Sequence, residues 1–268
     1  MAPKYNAFIK VKLMVTGLPK NHATNPPDFM SNETELGLID RYQTLTGRLR
    51  QAEHQYGRPE GSVCLVAVSK TYPADDIRTV ATQGQNDFGE NQIQDALTKI
   101  PVLKDVDCTW HFIGSIQSNK CRDIALNFDW VHSIERAKIA KRLSDLRPSD
   151  VKPINILIQV NSQNEATKSG VSPDLIGDLI GEIRDLPNLQ LRGLMAIPAP
   201  EKAIDRQREV FADLRGLLDK LNREHQVNMD CLSMGMTNDM EAAIAEGATH
   251  VRIGTAIFGP RKRPASNP

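Results

Sequence analysis

The sequence predicts a single (β/α)8 barrel of the TIM type. Three observations carry this. From residue 33 onward, eight short apolar runs alternate with amphipathic stretches. The first clear run, Val63-Cys-Leu-Val-Ala-Val68, is too continuous for a half-exposed strand and fits a parallel sheet covered on both faces. No GxGxxG or GxxxxGKS/T occurs, so the open doubly wound alternative lacks its nucleotide-binding signature.

The elements follow in order. Residues 33–56 read as an extra N-terminal helix, with Leu36, Ile39, Leu45 and Leu49 near one face and Gly57 and Pro59 ending it. After the strand at 63–68, further strands are expected at 87–89, 110–113, 130–132, 154–160, 191–197, 229–234 and 250–253. Helical stretches near 74–83, 91–100, 117–126, 135–146, 173–186, 201–225 and 238–246 are long enough for crossovers. Eight strand-plus-connection units in about 230 residues is the arithmetic of such a barrel.

Composition bounds the function. The 268 residues are 40% hydrophobic and 25% charged, with 33 basic residues against 33 acidic ones. That is ordinary globular composition, and the balance gives no electrostatic reason to expect nucleic acid or an acidic membrane as partner; the basic tail Arg261-Lys262-Arg263 is too short to change this. No stretch approaches the roughly 18 apolar residues of a membrane span. Cys64, Cys108, Cys121 and Cys231 form no CxxC pair, which argues against a disulfide framework and a structural zinc site; Cys64 and Cys231 read as small core residues. Residues 1–30 carry four lysines and no acid before Asp28. Their composition meets only part of a transit-peptide pattern, so they read as a disordered extension, or Met30 is the true first residue. Residues 31–268 are then one domain, and a cytoplasmic monomer is expected.

Function in parallel barrels collects at the carboxyl ends of strands. The first strand ends in Val68-Ser69-Lys70-Thr71, where a lysine abutting an apolar run is poorly solvated and its amine is freed for Schiff-base chemistry; a surface lysine with its head in water is the plainer alternative. The last strand ends in Arg252-Ile253-Gly254-Thr255 and the seventh in Ser233-Met234-Gly235-Met236-Thr237-Asn238, two adjacent ends offering N–H and O–H groups to a phosphate. Thr237 or Asn238 equally suits the cap of the following helix. Arg252, between Val251 and Ile253, needs buried acceptors, either a carboxylate in an internal ion pair or a ligand atom.

The runs Leu65-Val-Ala-Val-Ser-Lys-Thr71, Phe88-Gly-Glu-Asn91, Trp110-His-Phe-Ile-Gly114, Gln117-Ser-Asn-Lys120, Gly193-Leu-Met-Ala-Ile197, Ser233-Met-Gly-Met236 and Val251-Arg-Ile-Gly-Thr-Ala-Ile-Phe-Gly259 together resemble the pyridoxal phosphate homeostasis family, from about residue 36 to 260 and in the family's own order. The resemblance implies a barrel of the alanine racemase N-terminal type that binds pyridoxal 5′-phosphate (PLP). It implies Lys70 as the Schiff-base lysine, Arg252 facing the pyridine nitrogen, and Gly254 and Thr255 at the phosphate. Thr237 stands where the family usually has serine and keeps the hydroxyl. Ser233, Met236 and Asn91 belong to the same cofactor-binding set, whereas Trp110 and His111 read as structural.

An arginine partner leaves the pyridine nitrogen neutral and the electron sink weak. A racemase also needs acid/base groups on both faces of its substrate, and the chain ends about nine residues after the last motif, with no second domain expected to supply one. The expected role is therefore a PLP carrier in vitamin B6 homeostasis, with apo PLP-dependent enzymes as recipients and no amino-acid turnover. A small PLP-dependent racemase and a PLP-independent Schiff-base aldolase are the alternatives.

Overall fold

The computed structural model describes residues 37–162 and 169–260. Expectations for residues 1–30, Leu36 and the basic tail lie outside the described residues. The elements run α1 (Leu38–Gln55), β1 (Cys64–Val68), α2 (Ala74–Ala81), β2 (Asp87–Glu90), α3 (Ile93–Lys99), β3 (Thr109–Phe112), α4 (Cys121–Asn127), β4 (Trp130–Ile134), α5 (Ala137–Leu146), β5 (Ile154–Val160), α6 (Ile176–Ile183), β6 (Leu189–Ala196), α7 (Ile204–His225), β7 (Cys231–Ser233), α8 (Met240–Ala245), β8 (His250–Ile253) and α9 (Thr255–Phe258). All eight strands are parallel and close into a barrel in chain order. The closing seam pairs β1 with β8, setting Val66 against Arg252 and Ala67 against Ile253. Each expected strand is present.

The main core lies between barrel and helices. Outward-facing Leu65, Ala67, Phe88, Phe112, Val131, Ile156 and Val251 meet apolar helix stripes such as Phe211, Leu214, Leu218 and Leu221 of α7. Helix α1 buries Tyr42, Leu45, Leu49 and Ala52, one stripe at the helical repeat. Ile39 was expected on that stripe and is exposed: it sits in the first turn, off the line of the other four. The same helix buries Glu53, whose carboxylate accepts the N–H groups of Gly61 (3.0 Å) and Val63 (2.7 Å), fastening the lead-in to β1. Strand β7 is shorter than expected because the Asn222 side chain takes both backbone groups of Met229, at 2.9 and 2.8 Å, out of the ladder.

The barrel interior is less apolar than the bulky branched layers usual in this fold. Leu157, Met195 and Cys231 form a small apolar cluster against Trp130. Beside it lie His111, His132, His250, Ser233 and Arg252, all buried. Burial pushes the Cys231 thiol up to about 12, so it is an inert packing group as expected. Burial also drives His250 down to about 3 and His132 well below the ordinary imidazole range.

These two rings are neutral in the folded chain and take up protons when it unfolds. Below the unfolded value of about 6.5, stability should therefore fall, by at most about 1.4 kcal/mol per pH unit for each ring. Urea unfolding at pH 7 and pH 5 should show a loss of about 2 kcal/mol per histidine. Equal midpoints at the two pH values would contradict neutral burial.

Candidate functional site

A cavity of about 680 Å3 opens where the strands end. Val68, Lys70 and Tyr72 line it from the end of β1, and Asn91 follows β2. Ile113, Gly114 and Ser115 follow β3, and Gln159 and Ser169 come from β5 and beyond. Ile197, Pro198 and Pro200 follow β6, and Met236 and Thr237 follow β7. Arg252, Gly254 and Thr255 complete the wall at β8. Among the described residues, Lys70 and Arg252 are the only Lys, Arg, Asp, Glu or His side chains in this lining.

The turn carrying Lys70 is held from outside the barrel. Lys99 is buried, and its Nζ donates to the Ser69 carbonyl (2.9 Å), Glu90 Oε1 (2.8 Å) and Asp95 Oδ2 (2.8 Å). Ser69 Oγ donates to the same Glu90 oxygen at 2.7 Å. Burial raises the Glu90 carboxyl, with Lys99 opposing. Thr71 has φ of 69°, a left-handed conformation costly for a β-branched residue. Its N–H donates to Asp95 Oδ2 at 2.9 Å. Bonds on both sides of residue 70 thus fix the direction in which its side chain leaves the strand. Tyr72 stacks on Phe258 at 4.9 Å and donates its hydroxyl to the Gly259 carbonyl.

Across the seam, strand alternation turns Arg252 inward while Val251 and Ile253 face the helices. Nη1 donates to Ser233 Oγ at 2.7 Å and Nη2 to the Ala196 carbonyl at 3.0 Å. Burial lowers the guanidinium to about 10, with attraction to Asp239 opposing, so it stays charged at neutral pH. Of the two acceptors the sequence left open, an internal carboxylate is not present: no ion pair to Arg252 forms among the described residues. Three of its five N–H donors remain for the cavity side.

The turn after β7 needs Gly235, at φ of 95°, where a Cβ would lie 2.6 Å from the Ala243 methyl. It brings Met236 and Thr237 to the cavity. Asp239 holds the N-cap position of α8 without a side-chain cap; its carboxylate instead closes the preceding turn by accepting the Met236 N–H at 2.5 Å, and neither Thr237 nor Asn238 occupies the cap position. Gly114 is equally obligatory, since a Cβ there would sit 2.1 Å from the Asn91 carbonyl oxygen.

The structure therefore brings together Lys70, Asn91, Met236, Thr237, Arg252, Gly254 and Thr255 around one cavity. Ser233 is set apart from them, fully buried behind the wall, where it holds Arg252. Trp110 packs on Phe88, and His111 is buried with both ring nitrogens bonded, structural positions as expected. Sequence reasoning missed Tyr72, Gly114, Gln159 and the Ile197–Pro200 rim. Tyr72 and Gly114 close strand ends that were already singled out, which was the signal available.

The alanine racemase N-terminal domain family matches residues 42–262. A Pseudomonas aeruginosa protein named pyridoxal phosphate homeostasis protein is 52% identical over 224 residues, covering 84% of this chain and 96% of the relative. The chain belongs to the pyridoxal phosphate homeostasis protein family. Its Escherichia coli member is 46% identical over 217 residues, covering 80% of this chain and 92% of the relative. Among solved structures, PipY of Synechococcus elongatus with PLP bound is 33% identical, with a TM-score of 0.73 and coverage of 83% of this chain and all of that one. Alanine racemase from Corynebacterium glutamicum, at 19% identity and TM-score 0.61 over 60% of its length, shares the fold.

Asp95→Ala should cost about 1–3 kcal/mol, because a charged acceptor of two hydrogen bonds is lost beside the strained Thr71. Chemical denaturation checks the size. Thr71→Gly in the same background should recover part of it, since glycine tolerates the positive φ.

Proposed function

We propose that this chain binds PLP in the cavity at the strand ends, as a Schiff base on Lys70, and carries it in intracellular vitamin B6 homeostasis without turning over amino acids. The observation that carries the reading is the pairing of Lys70 and Arg252 around a cavity whose lining, among the described residues, has no carboxylate. Such a site favours an anion that also has an electrophilic carbon. The family supports it, as does the PLP-bound state of the similar PipY.

The residues present fit the group. Thr237 and Thr255 offer hydroxyls, and the Thr255 and Ala256 N–H groups at the start of α9 have no acceptor among the described residues. They suit a phosphate beside Gly254. PLP, when bound, supplies an aldehyde for an amine and a ring that withdraws electrons. Lys70 provides that amine from a fixed turn. Arg252 would face the ring nitrogen as a donor with no site to accept a proton, which would keep that end neutral and weaken electron withdrawal. Asn91 and Met236 border the same space.

Turnover requires a second positioned acid or base. Beyond Lys70 and Arg252, the described lining offers Tyr72, whose hydroxyl is committed to Gly259, and amides and hydroxyls that do not titrate near neutral pH. Carriage follows from this shortage, and the racemase reading would need Tyr72 released from its bond. Residues 31–268 as one domain, a disordered 1–30 extension, a cytoplasmic monomer and delivery to apo PLP-dependent enzymes complete the proposal. For the membrane, no described helix is long and apolar enough to cross one.

Borohydride reduction of PLP-loaded protein should leave a pyridoxyl group on Lys70 in peptide maps. Label on other lysines alone, Lys168 included, would sink the assignment. Thr237→Val should weaken PLP by about 1–3 kcal/mol in equilibrium titration, the size of a hydroxyl lost from a charged oxygen. Loaded protein incubated with L-alanine or L-serine in deuterated water should show no enzyme-like α-proton exchange. Exchange that disappears in Lys70→Ala would establish a racemase instead.

A further inference from the structure

We propose that Asp87, His111, His132 and Ser233 are positioning residues, joined as a one-way hydrogen-bond relay through the barrel that orients Arg252 from the opposite mouth. The links are continuous. Asp87 Oδ1 lies 2.9 Å from His111 Nε2, and His111 Nδ1 lies 3.0 Å from His132 Nε2. His132 Nδ1 lies 2.8 Å from Ser233 Oγ, which accepts from Arg252 Nη1 at 2.7 Å.

The direction follows from the two ends. Arginine has no acceptor, so Ser233 must accept from Arg252. Burial opposes ionisation of Asp87, yet hydrogen bonds from His111 and Cys64 hold its carboxyl below the usual range. An ionised carboxylate only accepts, so His111 Nε2 must carry the proton. The relay gives His111 this one N–H, and its Nδ1 then accepts from His132 Nε2. His132 Nδ1 is then bare and accepts the Ser233 hydroxyl. Each interior group gives one proton and takes one, and the dipoles align from the guanidinium to the carboxylate.

The surroundings insulate this line. Trp130 stacks on His111 at 5.6 Å and 8°. His250 is tied to Thr249 Oγ1 at 2.9 Å and stands outside the chain. Both relay imidazoles are fully buried, while the Asp87 side chain is 33% exposed at the amino-terminal mouth. A barrel interior packs well with apolar residues, so a fully satisfied polar chain there is a specifying feature rather than a source of core stability. Its output is the Ser233 oxygen. With Asp87 charged, that oxygen spends its proton on His132 and turns its lone pairs to Arg252. With the carboxylate neutralised, the imidazoles are free to reverse and Ser233 accepts from both sides, loosening its hold on Nη1. The orientation of Arg252 stands on the hydrogen bonds alone; its consequence for the PLP ring nitrogen rests on the function proposed above.

Proton–nitrogen spectra of histidine-labelled protein without PLP, at neutral pH, should show His111 and His132 neutral and protonated on Nε2. His132 protonated on Nδ1 would overturn the relay. Asp87→Asn should shift the Arg252 side-chain nitrogen resonances in the parent chain and leave them unmoved in a Ser233→Ala background. A shift of equal size in both backgrounds would make Asp87 merely structural and overturn the proposal. Should a variant fail to fold, the tautomers of the unmodified chain still decide. In PLP-loaded protein the absorbance maximum should follow the same pattern. If PLP does not bind, the cofactor reading fails while the tautomer and resonance outcomes still judge the relay.

Discussion

The pairing of β8 with β1 is the constraint on which the site depends. Chain closure places the first and last strands side by side, and the register sets Val66 opposite Arg252. Lys70 leaves the barrel four residues beyond Val66, so two cations far apart in sequence come to one cavity. A slip of one residue at this seam would turn Arg252 into the helix layer and bring Val251 or Ile253 inward. The fastening of α1 to the β1 entry through Glu53, and of the β1 exit through Lys99 and Asp95, holds the register from both ends.

The two cations are kept in different ways. Lys70 is directed by its backbone, with bonds on Ser69 and Thr71 and a left-handed step just after it. Arg252 is directed by its side chain, with two of its donors committed to the barrel wall. The first arrangement aims an amine; the second presents a planar array of donors that has nowhere to put a proton. A cavity built this way suits an anionic aldehyde and, among its described residues, offers little acid/base chemistry.

Much of this was legible in the sequence because barrels repeat one pattern. The 3.6 and 2.0 periodicities mark helices and strands, and strand ends mark the cavity, so position singled out Lys70, Arg252, Gly254 and Thr255 as candidates while leaving a surface lysine and an internal ion pair open; the family resemblance gave them their roles. Thr237 and Asn238 illustrate the limit. A hydroxyl or amide residue after a strand suits a cap and a ligand equally, and only three-dimensional geometry shows Asp239 at the cap and Thr237 at the cavity. Ser233 belongs to the same motif and faces the barrel interior, yet its register opposite His250, two residues before Arg252, sets it one layer below the cavity. Asp87, His111 and His132 sit on separate strands with no shared motif, so their chain of contacts has no one-dimensional trace.

Gly114 against the Asn91 carbonyl has a consequence for how this protein can vary. Two strand ends touch there backbone to backbone, with no side chain between them to trim or enlarge. At that point of the wall the contour is set by main chain, and a side chain at residue 114 cannot be accommodated without moving it. Tuning of what enters or leaves must come from the facing rim of Ile197, Pro198, Pro200 and Met236, where side chains rather than main chain define the edge.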